Sequence, residues 1–420
     1  MQNADNFNLR IFYLLKDMTK QQYTAFLLAL LTVLAGTAVV TGQDKAYPDA
    51  AKNPQSTLML AGSWVPGDPH KIDFQSLPAV KGEHAIVSDV RYAWGMKVHQ
   101  HNYITFYDGL YWIMWSDGPG IQREGVSAKE HRGVVPGHDR AGQLISYSTS
   151  PDGLNWSEPR DLAGPPDDGF GWIARGFWIY NGELLALATR YQAPSYRGDG
   201  LQLHAFRRVK GGKKEWQHRG LVYDNAMNNF APKQIPTGEW MMSRRDKDAN
   251  VHMMIGGVNG FDKWESFPVI SYSGEELAAE EPYWWVLPDG NLVAFFRDNK
   301  KSGYLFRAFS TDNGRTWSRP VKTNFPDAGS KFSGLRLKDG RYVLVSNSHP
   351  AKRDPLTIAV SDDGLVFNKL FYVAGGRHVD YPHVYEHDGQ LFIAFAGAKQ
   401  TVEVIKVGIN DLSALTMPSK

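Results

Sequence analysis

The sequence predicts an all-β fold, a β-propeller of four-stranded blades. Three observations carry that expectation. A hairpin with a glycine turn recurs six times, at Gly109, Gly182, Gly238, Gly290, Gly340 and Gly389, with spacings of 73, 56, 52, 50 and 49 residues. An aromatic-anchored turn follows in phase, with Trp264, Trp317 and Phe367 standing 26, 27 and 27 residues after their glycines. No helical periodicity competes over residues 57–409. Four-stranded units repeated at about 50 residues are propeller blades. A β-sandwich or solenoid is the alternative, but sandwich strands return every ~8–12 residues.

In chain order the hairpins read ITFYDGLYWIMW, FWIYNGELLALA, KQIPTGEWMMS, WWVLPDGNLVAFF, GLRLKDGRYVLVS and HVYEHDGQLFIAF. Each is an apolar, β-rich run broken by a turn whose glycine accepts positive φ. The first interval is long because residues 118–140 form an insertion. Between the third and fourth strands of a unit comes the aromatic turn, sharpest at Phe309–Pro320 (FSTDNGRTWSRP) and weaker at Ser150–Trp156 and Ser361–Phe367. Its Asp and Asn bond their own backbone, and Trp is a large apolar anchor. Six blades are expected. Residues 57–95 supply either a seventh or the strand that closes the ring.

Residues 1–23 are polar with Arg10, Lys16 and Lys20, and Ala25–Val40 runs almost wholly apolar. That run is short for a spanning helix and resembles a secretory signal. The expected organisation is a signal peptide or N-terminal anchor over 1–42, a linker over 43–56 and one propeller domain over 57–412. The expected address is secreted or periplasmic, with membrane attachment only if the first segment is retained. A net charge of +2 gives no nucleic-acid footprint, and the absence of cysteine excludes disulfides, thiolate metal sites and a cysteine nucleophile. A monomer is expected.

Blade topology places the glycine and aromatic turns at one end and the long polar loops at the other, where function belongs. Entering the first strand of each unit at that end are His99 and His101, Arg175, Asn229, Glu280 and Glu281, Lys331, and Asp380 with Tyr381. About seven residues after the glycine, leaving the second strand, stand Asp117, Arg190, Arg245 and Arg297. Three arginines at equivalent positions suit a bound carboxylate or sulfate; separate structural ion pairs are the alternative. Glu281, Asp117 and Tyr381 make a workable glycosidase set. His99 and His101, two apart, would share one face of a strand. They could bind a divalent metal with a third ligand, or act as a base α to a carboxylate. No cofactor is required by this reading.

The run Ser310-Thr311-Asp312-Asn313-Gly314-Arg315-Thr316-Trp317 resembles the Asp box of sialidases and related propellers, and the likeness extends over most of residues 90–405. It implies structural Asp boxes opposite an active site. It also implies an arginine triad (Arg190, Arg245, Arg297), a nucleophilic pair (Tyr381 with Glu281) and an acid/base (Asp117). The Arg-Ile-Pro stretch that sialidases carry near the start of the propeller is absent. Asp boxes also occur in uronate lyases of the ulvan lyase and rhamnose–glucuronate lyase type. Similarity to those would give His101, His138, Tyr191 and Arg207 the roles in β-elimination. The leading expectation is a sialidase-like exo-hydrolase acting on an acidic oligosaccharide or polysaccharide. A polysaccharide lyase and a non-catalytic glycan-binding propeller are the alternatives.

Overall fold

The computed structural model describes residues 53–91, 97–120, 139–211, 214–272 and 277–418. The segments expected to hold a signal or anchor (1–42) and most of the linker lie outside them, as does His138. Within them, six antiparallel sheets form six blades. The first runs Lys97–Tyr107, Leu110–Pro119, Leu144–Ser150, Arg160–Ala163, and the second Phe170–Tyr180, Glu183–Gln192, Gln202–Arg208, Trp216–Asp224. The third has a divided inner strand, Met227–Asn228 and Lys233–Gln234, followed by Trp240–Arg245, Val251–Gly256 and Trp264–Ile270. The fourth is Ala279–Val286, Leu292–Asp298, Tyr304–Ser310, Val321–Pro326, and the fifth Ser333–Arg336, Tyr342–Ser346, Leu356–Ser361, Lys369–Ala374.

The sixth blade settles the blade count. Its inner strands are Val379–His387, Gln390–Gly397 and Thr401–Gly408, and its outermost strand is Gly82–Asp89, paired antiparallel to Thr401–Gly408. The N-terminal stretch therefore closes the ring and makes no seventh blade. Residues before it run along the outside of the fifth blade, through bridges Leu60↔Phe367 and Ala79↔Tyr372.

The core lies between blades. Adjacent residues on one strand serve opposite neighbours: Met241 packs into the cluster shared with the fourth blade, and Met242 into the one shared with the second. Both faces of each sheet are thus buried, so the second strands read as continuous apolar runs rather than alternating ones.

The Asp boxes join blades. In the fourth, Ser310 Oγ donates to Asp312 at 2.8 Å, the Gly314 amide donates to Ser310 Oγ at 2.9 Å, and Trp317 Nε1 donates to the Gly314 carbonyl at 2.9 Å. Gly314 has φ +87°, and a Cβ there would stand 2.3 Å from Met241 Sδ of the third blade. Gly153 meets Phe392 of the sixth blade, and Gly364 meets Trp285 of the fourth, in the same way. Gly314→Ala is therefore expected to lower unfolding free energy by about 2–3 kcal/mol, from strain plus overpacking. Urea denaturation should show the loss while kcat stays within about twofold, because this turn faces away from the candidate site.

Candidate active site

The inner strands carry a repeated irregularity that builds the site. Register shifts interrupt pairing between Gln100 and Tyr103, Ala174 and Gly176, Glu280 and Tyr283, and Asp380 and His383. At these bulges His101, Glu281 and Tyr381 have φ of 58°, 48° and 56°, and Gly176 has φ 111°. A bulge re-aims a side chain, and positive φ in non-glycine residues clusters at functional sites. The result is that His101, Arg175, Glu281 and Tyr381, from four blades, line one cavity of about 230 Å³ at the open end of the axis.

Asn229, Arg245, Glu280 and Arg297 complete its wall, and Asp139 and the Ser195–Arg197 loop form its rim. The charges are mutually arranged. Glu281 is ion-paired with Arg297, and Glu280 bridges Arg245 and Arg197. Burial pushes the Glu281 carboxyl up, but Arg297, Lys331 and Arg175 outweigh it and hold it below the usual carboxylate range. Burial, with Arg175 and Arg197 nearby, brings Arg245 down to about 9, still charged at neutral pH. Beneath the cavity Lys331, fully buried, donates to Tyr103 Oη at 2.7 Å. Burial holds that ammonium well below its ordinary pKa.

Arg175 stands apart from this pairing. It is 1% exposed, and its side-chain hydrogen bonds go to neutral groups, Asn229 Oδ1 at 3.3 Å and the Tyr103 hydroxyl beneath the wall. Its Nε is buried with no acceptor. Among the described residues no carboxylate makes an ion pair with it. His101 and Tyr381 touch at 4.2 Å between ring centroids, their planes tilted by 45°, and Arg353, held by Asp380 at 3.0 Å, lies 5.9 Å from the Tyr381 ring.

Eight of the expected residues therefore meet: His101, Arg175, Asn229, Arg245, Glu280, Glu281, Arg297 and Tyr381. Others do not line the cavity. Arg190 pairs with Asp167 at 3.0 Å and covers the Phe170 ring at 3.5 Å, so its place among the arginines is taken by Arg175. Asp117 faces His99 at 3.5 Å and accepts from Ser146 at 3.1 Å, away from the cavity; Asp139 is the carboxylate at the rim. The inner-strand bulge separates His99 from His101, so the pair does not share a face. Tyr191 is buried, donating to the Arg140 carbonyl at 2.8 Å behind the Asp139 loop. Arg207 pairs with Glu183 at 3.8 Å on a flank of the second blade. Lys331 and Asp380 lie just beneath the lining. No group of three or more His, Asp or Glu is placed to hold a metal among the described residues. Asp139, Tyr196, Arg197 and Arg353 were not singled out by sequence, since they sit in long loops that follow no repeat.

Residues 132–393 match the family model described as a BNR repeat-like domain. No curated protein matches the chain. Among solved structures, a protein of unknown function from Dyadobacter fermentans superposes with a TM-score of 0.60 at 17% identity, covering 79% of this chain and 100% of that one. The intramolecular trans-sialidase of Ruminococcus gnavus, solved with oseltamivir carboxylate, gives 0.57 at 13% identity over 79% and 99%. A further sialidase gives 0.55 at 15% identity over 84% of this chain and 35% of its own. At these identities the likeness is one of fold, the sialidase-type propeller.

Proposed function

We propose, from the premise that this chain belongs to the BNR repeat-like domain family, that it cleaves a glycosidic bond next to a carboxylate-bearing sugar, as a sialidase-like exo-hydrolase. One observation carries the reading: Arg175, Arg245 and Arg297 converge on one cavity, and Arg175, buried in its wall, makes no close ion pair among the described residues. A buried cation held only by neutral hydrogen bonds and a carboxylate beyond contact is costly, and a ligand carboxylate binding it bidentately offsets that cost. The sugar's carboxylate would lie on Arg175, with Arg245 and Arg297 flanking. Tyr381 would attack the anomeric carbon, its proton passing to Glu281. Arg297 and Arg353 would stabilise the charge developing on its oxygen. Asp139 at the rim would protonate the leaving oxygen. A cavity of about 230 Å³ at the axis suits a chain end. A secreted or periplasmic address, as expected from residues 1–42, would give access to such glycans.

A second reading is favoured by the His101–Tyr381 contact. An imidazole packed against a phenol beside arginines also suits proton abstraction α to a uronate carboxylate, with elimination of the leaving sugar. Incubation with sialylated and uronate-bearing glycans, followed by product mass and ultraviolet absorbance, tests both. A saturated reducing sugar is the expected product. A 4,5-unsaturated uronate would replace the hydrolase with the lyase, and no cleavage of any glycan in either class would remove both.

A further inference from the structure

The geometry points to a second anion subsite beside the axial cavity, one that takes the carboxylate of the neighbouring sugar in the same chain. This rests on the reading that the axial cavity holds a carboxylate-bearing sugar. The subsite is a cavity of about 640 Å³ walled by loops of the fourth, fifth and sixth blades. Arg297 lines both cavities, so one chain can run from the first into the second. At about 230 Å³ the axial cavity alone is smaller than the ~300–1,000 Å³ of ordinary ligand clefts. Only the terminal residue of an oligosaccharide belongs in it, and the remainder has to lie outside.

The charge of the second cavity is lopsided. Lys301, Lys352, Arg353, Arg377 and the shared Arg297 face it, against the carboxylates of Asp298 and Asp354. Those two carboxylates are engaged by the protein's own amides. Asp298 accepts from Ala278, Lys300 and Ser302 at 3.2, 2.9 and 3.1 Å, and Asp354 from Gly376 at 3.0 Å. Asp380 holds Arg353 at 3.0 Å and Glu403 holds Arg377 at 2.6 Å. That leaves Lys301 and Lys352, both exposed, as long flexible cations at the opening. A neutral sugar would make little use of such a lining. A chain with a carboxylate on consecutive residues matches it, one acid on Arg175 and the next between the two lysines, where a walled cleft focuses the field.

Isothermal titration tests this with the monomer and trimer of N-acetylneuraminic acid and of glucuronic acid, on a Tyr381→Phe background that blocks turnover. In the series that binds, the trimer is expected to bind about tenfold more tightly than the monomer at low salt, the size two exposed charge contacts supply. That gain should fade as salt is raised. Lys301→Met/Lys352→Met should erase the gain and leave monomer affinity unchanged, whereas Arg175→Met should abolish binding of both. Equal affinities for trimer and monomer, or a gain that survives the double substitution, would overturn the subsite while leaving the axial reading intact. Failure of every monomer and trimer to bind would overturn both.

Discussion

Arg175→Met is expected to lower kcat/KM on a carboxylate-bearing substrate by about a thousandfold, roughly 4 kcal/mol of transition-state binding. The melting temperature should change by no more than a few degrees. The size of that second effect is the diagnostic part. A buried ion normally sits opposite a counter-charge, and deleting it unfolds the protein. Arg175 is 1% exposed, and its hydrogen-bond partners, Asn229 Oδ1 and Tyr103, are neutral. Methionine removes a buried charge that no close ion pair holds, forfeiting only its longer-range attraction to Glu281, while keeping the stem's volume. Initial rates and a thermal melt on the same preparation decide it. An active variant ends the carboxylate reading. An inactive one whose melting temperature falls by many degrees would make Arg175 a structural residue.

Glu281→Ala is expected to behave oppositely, losing activity together with about 3–5 kcal/mol of stability at neutral pH. It leaves Arg297 with only the longer pair to Glu280 at 3.7 Å and takes the nearest carboxylate from Lys331 below. The pH dependence follows from the direction of the shift. Burial raises the Glu281 carboxyl, but Arg297, Lys331 and Arg175 more than reverse this, so its folded pKa lies below the unfolded one. Its stabilisation is therefore complete above the unfolded value of about 4.3 and is lost as pH falls through the folded one. Urea midpoints of wild type and variant should differ most near neutrality and converge under acid conditions. A gap that persists unchanged at pH 3 would assign the loss to packing.

The architecture was legible because its signals are local. Glycine turns and Asp boxes report themselves within a few residues, and their phase gives the blades. The open-end strand entries were legible for the same reason, which is how His101, Arg175, Glu281 and Tyr381 were found. Counting outward from the turn glycine failed for Arg190 and Asp117. Both stand eight residues after their glycine, whereas Arg245 and Arg297 stand seven after theirs. The turns also differ. Asp108–Gly109 and Asn181–Gly182 are two-residue turns with both residues at positive φ, whereas the third and fourth blades turn over three residues, closed by Ile235 with Glu239 and Leu287 with Asn291. A one-residue offset sends a strand side chain to the other face. His99 and His101 were misjudged because a bulge between paired positions leaves no mark in composition. Asp139 and Arg197 were missed because nothing repeats in the loops that carry them.

The strand Gly82–Asp89 belongs to a sheet whose other three members are made some three hundred residues later. A ribosome releases it first and its partners last, so it must wait, unpaired, through nearly the whole of synthesis. Sequence separation of this size slows folding, because the entropy of joining distant segments is lost before any contact rewards it. Until that strand docks, the edge of Thr401–Gly408 stays open to pairing with a strand from another molecule. Deleting residues up to 89 should thus leave five blades complete and turn the sixth into an adhesive edge, giving aggregates or strand-exchanged dimers in place of a merely shortened propeller.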